Sequence, residues 1–171
     1  MSIEEHKKQA QKSVTCKVIT VSDTRNKETD KSGKLMIELL ESAGHTIGDY
    51  VIVKDEKGPI REAVLQGCLQ PEIDVILTNG GTGIALRDVT IETVQALFDK
   101  EITGFGELFR MLSYQEDIGS AAILSRAIAG VIGERAVFST PGSSGAVKLA
   151  MNKLILPELG HVVRELKKDI K

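Results

Sequence analysis

Ile73-Asp74-Val75-Ile76-Leu77-Thr78-Asn79-Gly80-Gly81-Thr82-Gly83 decides the reading of this chain. Ile73 to Thr78 is a continuous apolar run of strand length, which suits a strand covered on both faces, as in a parallel sheet. The glycines directly after it mark a sharp strand-to-helix turn. Upstream, Cys16 to Ser22 is a second β-branched run, closed by the turn-forming Asp23 to Lys27. Between the two lie Leu35, Met36, Leu39, Leu40 and Ala43 at helical spacing, with Ser32 as N-cap and Gly44 at the C′ position. His45 to Val53 reads as another strand and Asp55 to Gly58 as a loop. Pro59 then opens a helix whose stripe is Ile60, Ala63, Val64, Gly67 and Cys68.

Downstream of the glycines, Asp88 or Thr90 can cap a helix bearing Ile91, Val94, Leu97 and Phe98. A further helical stretch covers Phe105 to Leu112. Segments 127–132 and 136–140 flank Gly133-Glu134 as a hairpin, which brings an antiparallel strand into the sheet. Segments 144–155, with Pro157 just beyond, and 159–170 read as closing helices. Strands alternating with helices predict an α/β fold: a three-layer α/β/α sandwich whose sheet is mostly parallel with one antiparallel strand. Residues 1–12 form a charged lead-in available for self-association, and 13–171 a single domain.

Composition narrows the function. The 171 residues carry 22 Lys+Arg against 24 Asp+Glu, a net charge of -2, and only 4% aromatic residues with no Trp. That lacks both the basic footprint and the stacking surface of a nucleic-acid binder. The longest apolar stretch, 121–138, is interrupted by Arg126, Glu134 and Arg135, so no membrane span is expected. The first ten residues are polar and mixed in charge, unlike a signal peptide, which leaves a cytoplasmic location as the expectation. Cys16 and Cys68 form no CxxC unit and read as reduced packing residues. His6, His45 and His161 are scattered along the chain, which gives a histidine metal site or a nucleophilic triad little support. Ser113 and Ser125 have no G-x-S-x-G context.

Right-handed crossovers bring the loops after parallel strands to one sheet edge, where open α/β folds bind ligands. Three loops qualify: Ser22 to Arg25, Asn79 to Gly83, and Thr140 to Gly145. Gly80, Gly81 and Gly83 let a ligand approach backbone N–H groups, while Thr78, Asn79 and Thr82 add polar side chains. This suits an anion or a flat polar heterocycle; a tight turn that needs glycine dihedrals is the plainer reading. Neither G-x-G-x-x-G nor a P-loop occurs. The Thr140 to Gly145 loop leads into a helix and can hold a phosphate or simply cap that helix. Asp55 and Asp88 can share Mg²⁺ beside bound phosphates, or serve as a turn residue and a helix cap.

Thr78 to Gly83 followed by Arg87-Asp88, then Gly104 to Glu107, Ala122 to Arg126 and Thr140 to Ser143, resemble in that order the MoaB/MogA proteins of molybdenum-cofactor biosynthesis, the MoaB branch most closely. The resemblance runs from Val18 to Leu166. It implies a molybdopterin-binding fold and assembly as a homotrimer or a dimer of trimers. It also implies transfer of AMP from Mg-ATP to the terminal phosphate of molybdopterin with release of pyrophosphate, or alternatively a non-catalytic molybdopterin carrier. Carried over residue by residue, Asp55 and Asp88 match the catalytic and Mg²⁺-binding acids. Asn79, Gly80, Gly81, Thr82 and Gly83, next to Thr78, match the pterin and phosphate cradle. Ser22, Asp23, Ser113, Pro141, Gly142 and Ser143 match other parts of the pocket wall. Where many relatives have Thr-Pro-Glu after the Arg-Asp pair, this chain has Thr90-Ile91-Glu92.

Overall fold

The computed structural model describes residues 2–8, 10 and 12–170. Among these, the strands are β1 (Thr15–Val21), β2 (Thr46–Val53), β3 (Val75–Asn79), β4 (Lys100–Glu101), β5 (Ile128–Ile132) and β6 (Arg135–Thr140), in one sheet of order β2-β1-β3-β6-β5-β4. β2, β1, β3 and β6 are parallel. β5 runs against both β6 and β4, so it is the reversed strand expected from the hairpin at Gly133-Glu134. The helices are α1 (Ile3–Lys8), α2 (Lys31–Ser42), α3 (Lys57–Leu69), α4 (Thr90–Gln95), α5 (Thr103–Glu116), α6 (Ser144–Ala150) and α7 (Leu156–Lys167). Positions 1, 9 and 11 of the lead-in, and Lys171, lie outside the described residues.

Side-chain alternation along the central strands builds two cores. Cys16, Val18, Val75, Leu77, Ala136 and Phe138 face α2, α5, α6 and α7, against Met36, Leu40, Phe109, Val147 and Leu159. Ile19, Val21, Ile76 and Val137 face the other way, onto Ile60, Ala63 and Val64 of α3 and Val94 of α4. Both faces of the sheet are thus covered, which explains why β1 and β3 are continuously apolar. The layers are helices, sheet and helices, as the sequence predicts.

The strand order has a consequence for ligand binding. From β1 the chain crosses by α2 to β2 on one side, then returns by α3 to β3 on the other, with the two helices on opposite faces. The loops leaving β1 and β3 therefore diverge, and a crevice opens between them at this topological switch point.

Three local expectations change. Asp30, not Ser32, caps α2: its carboxylate accepts from Gly33 N–H at 3.0 Å, while the Ser32 hydroxyl donates to Asn79 Oδ1 at 2.7 Å. Neither Asp88 nor Thr90 caps α4, whose preceding residue is Val89 with no side-chain cap. Asp88 closes a turn instead, accepting from Ala85 N–H at 3.0 Å, and the Thr90 hydroxyl donates to Gly80 O at 3.0 Å. Pro157 does not separate two helices. A π-helical turn (Met151–Ile155) links α6 to α7, and its wider backbone accommodates a residue that has no N–H to give.

Candidate functional site

The crevice at the switch point is a cavity of about 410 Å³, lined by the ends of β1, β2, β3 and β6 and by residues 124–126. Val21, Ser22, Thr24 and Arg25 form one wall, Gly80 to Gly83 and Asp88 the opposite one, and Asp55, Pro141, Gly142, Leu124, Ser125 and Arg126 complete it. Three loops that sequence alone places on one edge therefore converge on one space.

Gly80 and Gly81 have φ of +100° and +67°. Any side chain at Gly80 would run into the Val21 carbonyl oxygen, and one at Gly81 into Thr90 and Asp55. The loop is thereby pressed against β1, pinned by Gly80 N–H to Thr140 O at 3.0 Å and by Thr90 N–H to Gly81 O at 3.0 Å. The N–H groups of Gly81, Thr82, Gly83 and Gly142, by contrast, make no hydrogen bond to another described residue. Backbone donors left open at the mouth of a glycine loop form a nest suited to an anion.

Asp55 and Asp88 both border the cavity and are partly buried. Asp55 is locked to the loop after β1 by a reciprocal pair: Asp23 N–H donates to Asp55 Oδ2 at 3.1 Å, and Asp55 N–H to Asp23 Oδ1 at 3.0 Å. Arg87 donates to Asp23 Oδ2 at 2.8 Å. Burial raises the Asp55 carboxyl pKa, and the Asp23 and Asp88 carboxylates add to that, whereas the Asp55 N–H and the Arg87 guanidinium hold Asp23 below its usual value. Asp55 Oδ1 and Asp88 Oδ1 accept no hydrogen bond from the described residues. Two hard oxygen donors in mutual repulsion fit a divalent cation such as Mg²⁺.

Arg126 is the residue the sequence reading leaves unassigned. Its guanidinium donates to Thr82 O at 3.0 Å and to Gly83 O at 2.7 Å, and it pairs with Glu92 at 2.6 Å. It thus occupies the Thr82 and Gly83 carbonyls and fixes the loop against residues 124–126. The signal was its interruption of the apolar run 121–138. Arg25 acts similarly on the far wall, reaching Gly142 O at 3.0 Å and Ser32 Oγ.

Other expected positions fall elsewhere. Thr78 and Asn79 are buried behind the cavity: Thr78 donates to Ser139 Oγ at 2.8 Å, and Asn79 Nδ2 to Thr20 Oγ1 at 3.0 Å. Asp23 borders Asp55 without lining the cavity. Ser143 caps α6 through Ala146 N–H at 3.2 Å, the plainer of the two readings of that loop. Ser113 is buried in α5, away from the cavity, with its carbonyl taken by Asp117 and Ile118 N–H.

Residues 17–161 match the family model described as "Probable molybdopterin binding domain". The chain belongs to this family of molybdenum-cofactor biosynthesis proteins. It is 70% identical over 169 residues, 99% of each chain, to molybdenum cofactor biosynthesis protein B of Bacillus subtilis. A crystal structure of a molybdenum cofactor biosynthesis protein B superposes with a TM-score of 0.91 at 67% identity, covering 94% of this chain and 99% of that one. The tungsten cofactor synthesizing protein MoaB from Pyrococcus furiosus superposes with a TM-score of 0.81 at 43% identity, covering 92% and 99%. Within the family domain, 17–161, fall all three loops of the crevice.

Proposed function

We propose that this protein binds molybdopterin in the switch-point crevice and adenylylates its terminal phosphate with Mg-ATP. The observation that carries the reading is the pairing, across one cavity, of unpartnered Gly81, Thr82 and Gly83 N–H donors with the Asp55 and Asp88 carboxylates. The amides suit phosphate oxygens. The acids are the wrong charge for phosphate unless a divalent cation stands between them, so the combination favours metal-nucleotide chemistry over simple anion binding.

In this reaction a phosphate oxygen of the pterin attacks the α-phosphorus of ATP. The new P–O bond forms as the bond to the bridging β-phosphate oxygen breaks, and pyrophosphate leaves with that electron pair. The nucleophile is already ionised at neutral pH, so no strong general base is required. Rate enhancement then rests on alignment and charge neutralisation. Asp55 and Asp88 would hold Mg²⁺, which when bound offsets phosphate charge. The glycine-loop amides hold the phosphates, Arg126 occupies the loop carbonyls and fixes the loop, and Arg25 fixes the Gly142 side of the wall.

The same reading includes assembly as a homotrimer or a dimer of trimers. Leu108, Met111, Tyr114, Ile118, Ile123 and Leu124 are large apolar residues exposed along α5 and the following 3₁₀ turn (Gly119–Leu124). Leu124 also lines the cavity, so a neighbour packed there would help wall the site.

The test is pyrophosphate release on incubation with molybdopterin and Mg-ATP. Turnover that falls by at least about 100-fold in Asp55→Asn and Asp88→Asn, with pterin binding retained, supports transfer. Tight pterin binding without pyrophosphate at saturating nucleotide would leave only a carrier.

A further inference from the structure

His6 and His161, far apart in sequence, meet where α1 packs on α7. Their rings sit edge to face with centroids 5.5 Å apart, and Glu165, one helical turn beyond His161, lies against both. His6 Nδ1 is 3.2 Å and His161 Nε2 3.9 Å from Glu165 Oε1, and one ligand atom from each of the three residues lies within 4.8 Å of the others. Each side chain is about one-quarter to one-third exposed, so the cluster is reachable from solvent yet held by both helices.

We propose that this cluster is a binding site for a borderline divalent transition metal of the Zn²⁺ class, which clasps the N-terminal helix onto α7. Two imidazoles and one carboxylate form a donor set that selects such ions over Mg²⁺ or Ca²⁺. The spacing is close to what tetrahedral zinc needs, since metal–ligand bonds near 2.0 Å put ligand atoms about 3.3 Å apart. A second feature points the same way. His161 Nδ1 is 3.0 Å from Glu158 Oε2, whose other oxygen is held by Lys7 of α1 at 2.8 Å. With Nδ1–H donating to Glu158, the lone pair of His161 lies on Nε2, the nitrogen that faces Glu165. That is the carboxylate–histidine arrangement that fixes tautomer and ring orientation at metal centres. Glu165 is in turn steadied by Lys168, on Oε2 at 2.8 Å, and by the Arg164 guanidinium, which donates to Oε1 at 3.3 Å and would share that oxygen with the ion. A fourth position remains for water, as three protein ligands leave it. The site stands apart from the switch-point crevice, none of whose lining residues belongs to it.

The experiment uses the full-length, tag-free chain. Titration with Co²⁺ should give the visible absorption of a tetrahedral ion at one equivalent per chain, and equilibrium dialysis should find one Zn²⁺ displacing it. His6→Ala and His161→Gln should each weaken binding by at least about 100-fold, and Glu158→Gln by about 10- to 100-fold. Cys68→Ser should leave it unchanged, since the half-buried Cys68 is the competing soft ligand. Zn²⁺ should also slow tryptic cleavage at Lys7 and Lys8 in the parent chain but not in His161→Gln. Absence of one-equivalent binding, binding undiminished in both histidine variants, or binding lost in Cys68→Ser would each overturn the proposal.

Discussion

Gly80 shows how much one residue constrains the crevice. Its φ of +100° lies in a region costly to any other residue, and a methyl group there would meet the Val21 carbonyl. Gly80→Ala should therefore cost about 2–3 kcal/mol, seen as a lower urea midpoint at unchanged m-value. Asp55 predicts a pH effect of opposite sense. Its folded pKa is raised above the unfolded value, so the folded state binds the proton more tightly, and the associated stability is present in acid and lost as pH rises through the folded pKa. The ionised carboxylate is thus a burden on the ligand-free protein at neutral pH. Asp55→Asn should be more resistant to urea than the parent at pH 7 and show no such advantage once the pH falls below about 3.8, the unperturbed carboxyl value. A variant whose advantage over the parent is no greater at pH 7 than at low pH would contradict the burial and the repulsion by Asp23 and Asp88 assigned to Asp55. At this scale glycine and carboxylate positions were legible in the sequence because their chemistry is local. The clamping role of Arg126 was not, since its acceptors, Thr82 and Gly83, lie 44 and 43 residues away.

At the level of elements, the strand–helix alternation is readable because β1 and β3 are apolar on both faces and α2 and α3 carry one-sided stripes. What escaped is which polar residue starts α2. Asp30 is fully buried beneath the loop after β1, and besides capping Gly33 it accepts from the Thr20 hydroxyl at 2.6 Å and the Tyr50 hydroxyl at 2.5 Å. Burial and this hydrogen bond to Asp30 push the Tyr50 phenol well above its ordinary value. Thr20 also receives Asn79 Nδ2, so a single carboxylate ties β1, β2, α2 and, through Asn79, the start of the glycine loop. A cap searched for by local spacing cannot reveal partners on two other strands. Asp30→Ala should cost about 3–5 kcal/mol, because the cap is lost and buried hydroxyls lose their acceptor. Asp30→Asn, which keeps a cap oxygen, should lose markedly less. Chemical denaturation of both variants provides the comparison, and equal losses would mean that the charge, not the cap and acceptor geometry, is what matters.

For the whole molecule, composition excludes more than it identifies, and the near-neutral charge of -2 acquires meaning only beside the crevice. With no positive field to attract an anion, binding must be supplied locally by backbone donors and a bound cation. The strand order that creates the switch point follows from alternation only after chirality is imposed, whereas the outer surface carries no periodic signal of what covers it. Along α5 and the following turn, Tyr114 is 60% and Ile123 84% exposed, a grouping of exposed apolar side chains that suits an interface. If this face joins the subunits of the proposed trimer, Met111→Glu with Ile123→Glu should sediment as single chains, because each interface would have to bury unpaired carboxylates. The cavity depends on that face through Leu124, so the same variant should also bind molybdopterin at least about tenfold more weakly than the parent. Met111 and Ile123 belong to neither core, so the variant's unfolding should remain cooperative. A parent chain that already sediments as a monomer would reject the assembly outright; a dissociated variant with undiminished pterin affinity would show that each crevice is complete within one chain.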